Sequence, residues 1–171
     1  MIKNDHEELL KWREIQQKRI AYKKALIPLA EVLAALNSRS AIYEVLWDIQ
    51  HQPSLWIEGL FSVASHGRVD WRKVPGSTRQ NWHTAQDRIE RVTDCLVSYA
   101  HNLESDIVIA WLENKPALRV KVGDGRACLT EILEVDWETW IYDPEDNWLI
   151  ESYHEGEVCS GRSAFTVPSE R

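Results

Sequence analysis

The apolar positions change their period once along the chain, near residue 104. Before it they recur at helical steps. Over residues 5–24, Leu9, Trp12, Ile15 and Tyr22 mark one side, with Lys11, Arg13, Lys18, Arg19, Lys23 and Lys24 around the rest. This predicts an amphipathic helix, capped by Asn4 or Asp5. Pro28 kinks that helix or opens the next one, whose stripe of Leu29, Leu33 and Leu36 runs out near Asn37. Ser38 or Ser40 then caps a short helix through Ile42, Val45, Leu46 and Ile49. Pro53 begins another, carrying Leu55, Trp56, Leu60, Phe61 and Val63 and stopping near His66-Gly67. The connection 67–77 holds the turn-forming pair Pro75-Gly76. Ser77 is read as the cap of a helix of about 25 residues, on the 3.6-residue period of Trp82, Ala85, Ile89, Val92, Leu96, Tyr99 and Leu103. Arg88, Glu90, Arg91 and Asp94 sit off this seam.

Beyond Asn102 the period shortens to two. Ile107, Val108, Ile109, Trp111 and Leu112 form one strand, and Leu118, Val120 and Val122 a second. Asn114-Lys115-Pro116 and Gly123-Asp124-Gly125 read as the turns that follow them. A long strand is expected from Cys128 to Tyr142, a return strand from Trp148 to Tyr153, and a last one around residues 163–167. Helices first and strands afterwards predict an α+β protein: an N-terminal helical bundle over residues 1–103, followed by a C-terminal antiparallel β-meander over 104–171, within one compact domain.

The two strands flanking Asp143-Pro144-Glu145-Asp146 form the predicted central hairpin. Asp then Pro suits the first two positions of a type I turn. With 143–146 as the loop, Tyr142 pairs with Asn147, Ile141 with Trp148, and Glu138 lies opposite Glu151. One face then gathers Leu133, Val135, Trp137, Ile141, Trp148 and Ile150. The other gathers Glu134, Asp136, Glu138, Glu151 and Glu155, with Trp140, Tyr142, Leu149 and Tyr153. Like charges opposite each other weaken a sheet. An acid-rich strand face occurs either as plain solvated surface or as a binding surface.

Charge sharpens this picture. Residues 127–161 carry ten Asp or Glu and no Lys or Arg. Net charge is −7, made of +3 over residues 1–40, −1 over 41–103 and −9 over 104–171. A negative field of this kind repels nucleic acid and speeds capture of cationic partners. Nine Trp in 171 residues supply material for both core and interface.

The remaining chemistry is sparse. Cys95, Cys128 and Cys159 form no CxxC pair, and reduced thiols are expected. None of the six histidines lies in HExxH or at zinc-finger spacing, so neither metal nor cofactor is expected. Arg68, Arg72, Lys73 and Arg79, with Trp71 and Trp82, have the composition of a phosphate site, yet PGSTR lacks the framing glycine and Gly-Lys pair of a phosphate loop. A solvated loop is the alternative. The N-terminus lacks a secretory layout and no apolar run reaches membrane length, so a cytoplasmic location is expected.

The class these features favour is a non-enzymatic inhibitor of immunity or antitoxin type, neutralising a basic, nuclease-like toxin. Its expected contacts are Glu134, Asp136, Glu138, Trp140, Glu151, Tyr153 and Glu155. A phage-type DNA mimic is a neighbouring form. A small hydrolase using His154 with nearby carboxylates is the enzymatic alternative, Asp136, Glu138, Glu151 and His154 being the set that would converge on a divalent metal, and a homodimer is compatible with the Trp content.

Overall fold

A computed structural model describes residues 2–47, 53–64, 68–112 and 115–164. The class is α+β, with helical structure leading into a seven-stranded antiparallel sheet that ends in a meander. Helix α1 (Ile2–Leu26) passes through a 3-10 turn (Ile27–Leu29) into α2 (Ala30–Ser38), where Asn37 falls in the last turn as the stripe implies. Then follow β1 (Tyr43–Leu46), α3 (Pro53–Leu60), β2 (Thr78–Asn81) and α4 (Ala85–Tyr99). The rest comprises β3 (Asp106–Trp111), β4 (Ala117–Lys121), α5 (Val122–Ala127), α6 (Leu129–Glu134), β5 (Thr139–Asp143), β6 (Trp148–Tyr153) and β7 (Glu157–Arg162). Spatial order is β1-β4-β3-β5-β6-β7-β2, so both edges of the sheet come from residues before 104.

The two faces of the sheet are both covered. Ile107, Ile109, Leu118, Val120, Ile141, Trp148, Ile150 and Val158 point to a core closed by α2, α4 and α6 through Leu29, Val32, Leu36, Val92, Leu96, Leu129 and Ile132. On the other side, Val108, Ala110, Trp140, Tyr142 and Leu149 meet Ile57, Leu60, Phe61, Val69 and Val74. Trp56 stacks on Tyr142 with ring centroids 4.1 Å apart. Burial on both faces makes the central strands nearly continuous in apolar residues.

Several expected elements change type, each for a local reason. Residues 43–46 pair with β4 as an edge strand where a short helix was expected; the expected Ile49 and His66-Gly67 positions lie outside the described residues. The long helix is α4 alone. Its cap is Thr84, whose hydroxyl accepts from the Asp87 backbone N–H at 3.1 Å while Asp87 accepts from Thr84 N–H at 3.2 Å. This reciprocal box outcompetes Ser77, and residues 78–81 pair with β7 instead. The Asp87 carboxyl is held below its usual range by the His83 backbone N–H first, with Thr84 adding to it. Gly123-Asp124-Gly125 is no turn but part of α5. A Cβ on Gly125 would come within 3.0 Å of Ile107 Cδ1, so glycine lets this helix lie directly on the sheet. The long strand expected over 128–142 is split: Leu129, Ile132 and Leu133 are buried at helical spacing in α6, and only residues 139–143 are strand. The last strand is Glu157–Arg162, earlier than expected. Ser163 and Ala164 lie beyond it, and 165–167 fall outside the described residues.

The thiols of Cys95, Cys128 and Cys159 are free and buried, and burial raises the pKa of all three, that of Cys159 to about 11. Burial also lifts Tyr142 to about 12. Both groups keep their protons in the folded state at pH values where the unfolded chain has lost them. Stability is therefore expected to be insensitive to them below about pH 9 and to fall as pH rises from about 9 towards 12. Native protein should react with a thiol-specific disulfide reagent only at its unfolding rate. Rapid labelling of a thiol at neutral pH without denaturant would contradict this burial.

Candidate interaction site

The hairpin turn uses the predicted Asp143. Its Oδ1 accepts from Glu145 N–H at 2.8 Å and Asp146 N–H at 3.0 Å. Asn147, at φ 55°, completes a loop of 144–147 instead of 143–146. Asp143 thus pairs with Trp148, Ile141 with Ile150 and Trp140 with Glu151. Relative to the expected register the strand slides by two residues, which preserves the faces and removes the Glu138–Glu151 clash.

The acidic face is not a free surface. Glu151 is 1% exposed, because residues 56–64 and 68–74 fold over this side of the sheet. Its carboxylate accepts from Trp71 Nε1 at 2.6 Å, Trp140 Nε1 at 3.2 Å, and Arg68 Nε and Nη2 at 3.4 Å. Glu157 binds Arg68 Nη1 at 3.1 Å and also meets Arg79. The cluster read as a phosphate site or solvated loop is thus spent in part on the chain's own acids. Arg72 and Lys73 hold Asp70. A cleft of about 360 Å³ between Arg68, Arg72, Arg79, Glu157 and Cys159 remains beside them.

The other expected contact residues separate into two groups. Trp140 is buried with Glu151. Asp136 is half-buried, bound by Lys115 Nζ at 2.6 Å and accepting from Glu138 N–H at 3.2 Å. Glu138 meets His154 Nδ1, and the Tyr153 ring lies 4.2 Å from that of His154. Arg68 sits over the Tyr153 ring at 3.6 Å. The Tyr153 hydroxyl is raised in pKa by burial, and then by Glu138 and Glu155. Glu134 and Glu155 are solvent-exposed. His154 meets Glu138, while Asp136 is taken by Lys115 and Glu151 by Arg68 and two indoles. Among the described residues no cluster of three or more potential metal ligands forms.

Trp137 is the largest departure. Expected on the core face, it is 68% exposed, because the strand starts only at Thr139 and the preceding turn swings outwards. It lies parallel to Trp82, centroids 6.5 Å apart. The turn at its foot is held by Arg88, expected outside the helix seam but only 5% exposed. The Arg88 guanidinium donates to Leu133 O at 2.6 Å, Ser152 Oγ at 2.7 Å, Asp136 O at 3.0 Å, Trp137 O at 3.1 Å and Thr139 Oγ1 at 3.2 Å. Burial lowers its pKa to about 10, so it stays charged at neutral pH. From the opposite side, Gly156 (φ +86°) lets the β6–β7 turn approach Trp82, whose backbone N–H donates to Gly156 O at 2.8 Å. An exposed indole on a braced turn, with Glu134, Glu138, Tyr153 and Glu155 near it in the fold or the chain, was legible only in part. The acids stood out, but the exposure of Trp137 depends on where β5 begins.

A sheet covered on both faces, with exposed acids and the exposed indole of Trp137 beside it, has the anatomy of a protein-binding scaffold. The chain belongs to the family described as CdiI immunity protein EcoliA0-like, whose model matches residues 54–161, more than half its length. It is an immunity protein, and an immunity protein neutralises a toxin. Among curated proteins, none matches the chain. The family segment runs from α3 to β7 and so contains the whole patch around Trp137. No helix among the described residues is long and apolar enough to cross a membrane.

Proposed function

We propose that the toxin neutralised by this protein is a basic, nuclease-like protein, and that the turn and rim around Trp137 capture it in the cytoplasm. The observation carrying this reading is Trp137, 68% exposed on a turn fastened by a buried arginine, with the exposed Glu134 three residues before it. Interfaces concentrate their energy in such aromatic anchors, while surrounding carboxylates steer a cationic partner. In this reading Glu134, Tyr153 and Glu155 touch the toxin, while Glu138, 8% exposed and bound to His154, supports the patch from within. Asp136, held by Lys115, shapes the turn, and Trp140 and Glu151 support the patch from beneath. The expected result of Trp137→Ala is an affinity for the cognate toxin reduced by roughly 30-fold or more, about 2 kcal/mol, with an unchanged unfolding midpoint. Calorimetric titration measures the first and urea unfolding the second. Full affinity in the alanine variant would remove Trp137 from the interface.

A further inference from the structure

Helix α1 stands apart from the rest of the molecule. It is 25 residues long, and no described residue along it is fully buried. It was expected to be amphipathic. Instead its apolar and basic residues interleave around the axis, and Leu9, Leu10, Trp12, Ile15 and Ile20 are each half or more exposed. Its tether is well made. Leu26 packs on the core, Leu29, Val32 and Leu36 beyond it are fully buried, and Tyr22 rests edge-on against Trp47 at 5.1 Å. Five large apolar side chains half or more exposed on one helix leave apolar surface that a partner could cover.

We infer that α1 is a dimerisation arm, laid on the acidic body of a second copy of this chain. Charge complementarity favours that occupant. Seven basic and four acidic side chains give α1 a charge of +3, while the thirteen basic and twenty-three acidic side chains elsewhere give the remainder −10. Two copies exchanging arms satisfy both surfaces at once, in the closed two-fold arrangement commonest among homo-oligomers. The area suffices as well. A helix of this length presents a face roughly 37 Å by 10 Å, and two reciprocal contacts bury roughly 1,500 Å² in all, the size of a stable interface. The matched family segment begins at residue 54, so the arm lies outside the matched residues. The inference does not rest on the patch around Trp137.

Sedimentation velocity on the full chain, at roughly micromolar concentrations and upwards, tests it. The expected species is a dimer that weakens with added salt. Trp12→Ser with Ile15→Ser should shift it to monomer, leaving the far-ultraviolet spectrum of the body and the toxin affinity unchanged. Lys18→Glu with Lys23→Glu and Lys24→Glu should also weaken the dimer, because these cations face an acidic body. A monomer at every concentration overturns the inference, as does a dimer indifferent to the arm substitutions. Tighter dimers after charge reversal would mean that the two arms pair with each other, and would overturn it as well.

Discussion

Replacing Arg88 with alanine is expected to remove about 3–5 kcal/mol of stability, because several buried carbonyl and hydroxyl acceptors lose a charged donor together and a cavity is left behind. The guanidinium serves three backbone carbonyls and two hydroxyls inside the sheet–helix interface. Truncation leaves Leu133 O and Thr139 Oγ1 buried without this donor and opens a cavity the length of the side chain. Arg88→Lys should lose nearly as much, since one ammonium cannot reach the five acceptors that the planar fork spans. Urea unfolding with an unchanged m-value measures both. A loss under about 1 kcal/mol in the alanine variant would mean that the turn at 135–138 is held by other contacts.

The second large effect belongs to Glu151. Glu151→Ala is expected to cost about 3–5 kcal/mol, because Arg68 would lose its buried partner and the Trp71 and Trp140 indoles their acceptor. Glu151→Gln keeps the volume and one acceptor oxygen but turns an amide donor towards donors, so about 1–3 kcal/mol is expected. The ordering of the two variants is the informative part. Equal losses would show that charge, rather than hydrogen-bond count, holds residues 68–71 on the sheet. A sensitive toxin affinity with intact stability in the glutamine variant would instead bring Glu151 into the interface.

These two residues also explain how far the sequence could be read. The order of periods, helical then alternating, revealed the α+β class, and Asp143-Pro144 located the central hairpin within one residue of its loop. Parity survived the error in register, so Ile141, Trp148 and Ile150 fell on the correct core face. What escaped was long-range. Glu151 looked solvated because the residues that cover it, 56–64 and 68–74, lie some eighty residues earlier, and nothing local ties Arg68 to Glu151. Arg88 looked like a surface charge because its acceptors are mainly backbone carbonyls, which carry no signature in sequence. The stretch Leu129–Leu133 fits helix and strand spacing equally, and the helix won because Ile132 and Leu133 fill the space beside Trp111, whose Nε1 donates to Ile132 O at 3.0 Å. That choice shortened β5 and turned Trp137 outwards. The ten acids were therefore visible as a group, but their division into structural and exposed members was not. Edge strands β1 and β2 were missed because four residues of mixed burial show too few alternations to declare a strand.

The central claim is electrostatic capture of a basic toxin by the rim beside Trp137. Its most direct measurement is the association rate with the cognate toxin by stopped flow, across a range of salt, for Glu134→Lys together with Glu155→Lys. Glu44→Lys at the far edge of the sheet serves as control. Both rim residues are exposed, so folding should be unaffected. The expected result is an association rate lowered roughly tenfold or more at low salt, converging on the unmodified protein as salt rises, with a much smaller change in the control. A rate indifferent to the rim substitutions and to salt, or one that falls equally in the control, would contradict it.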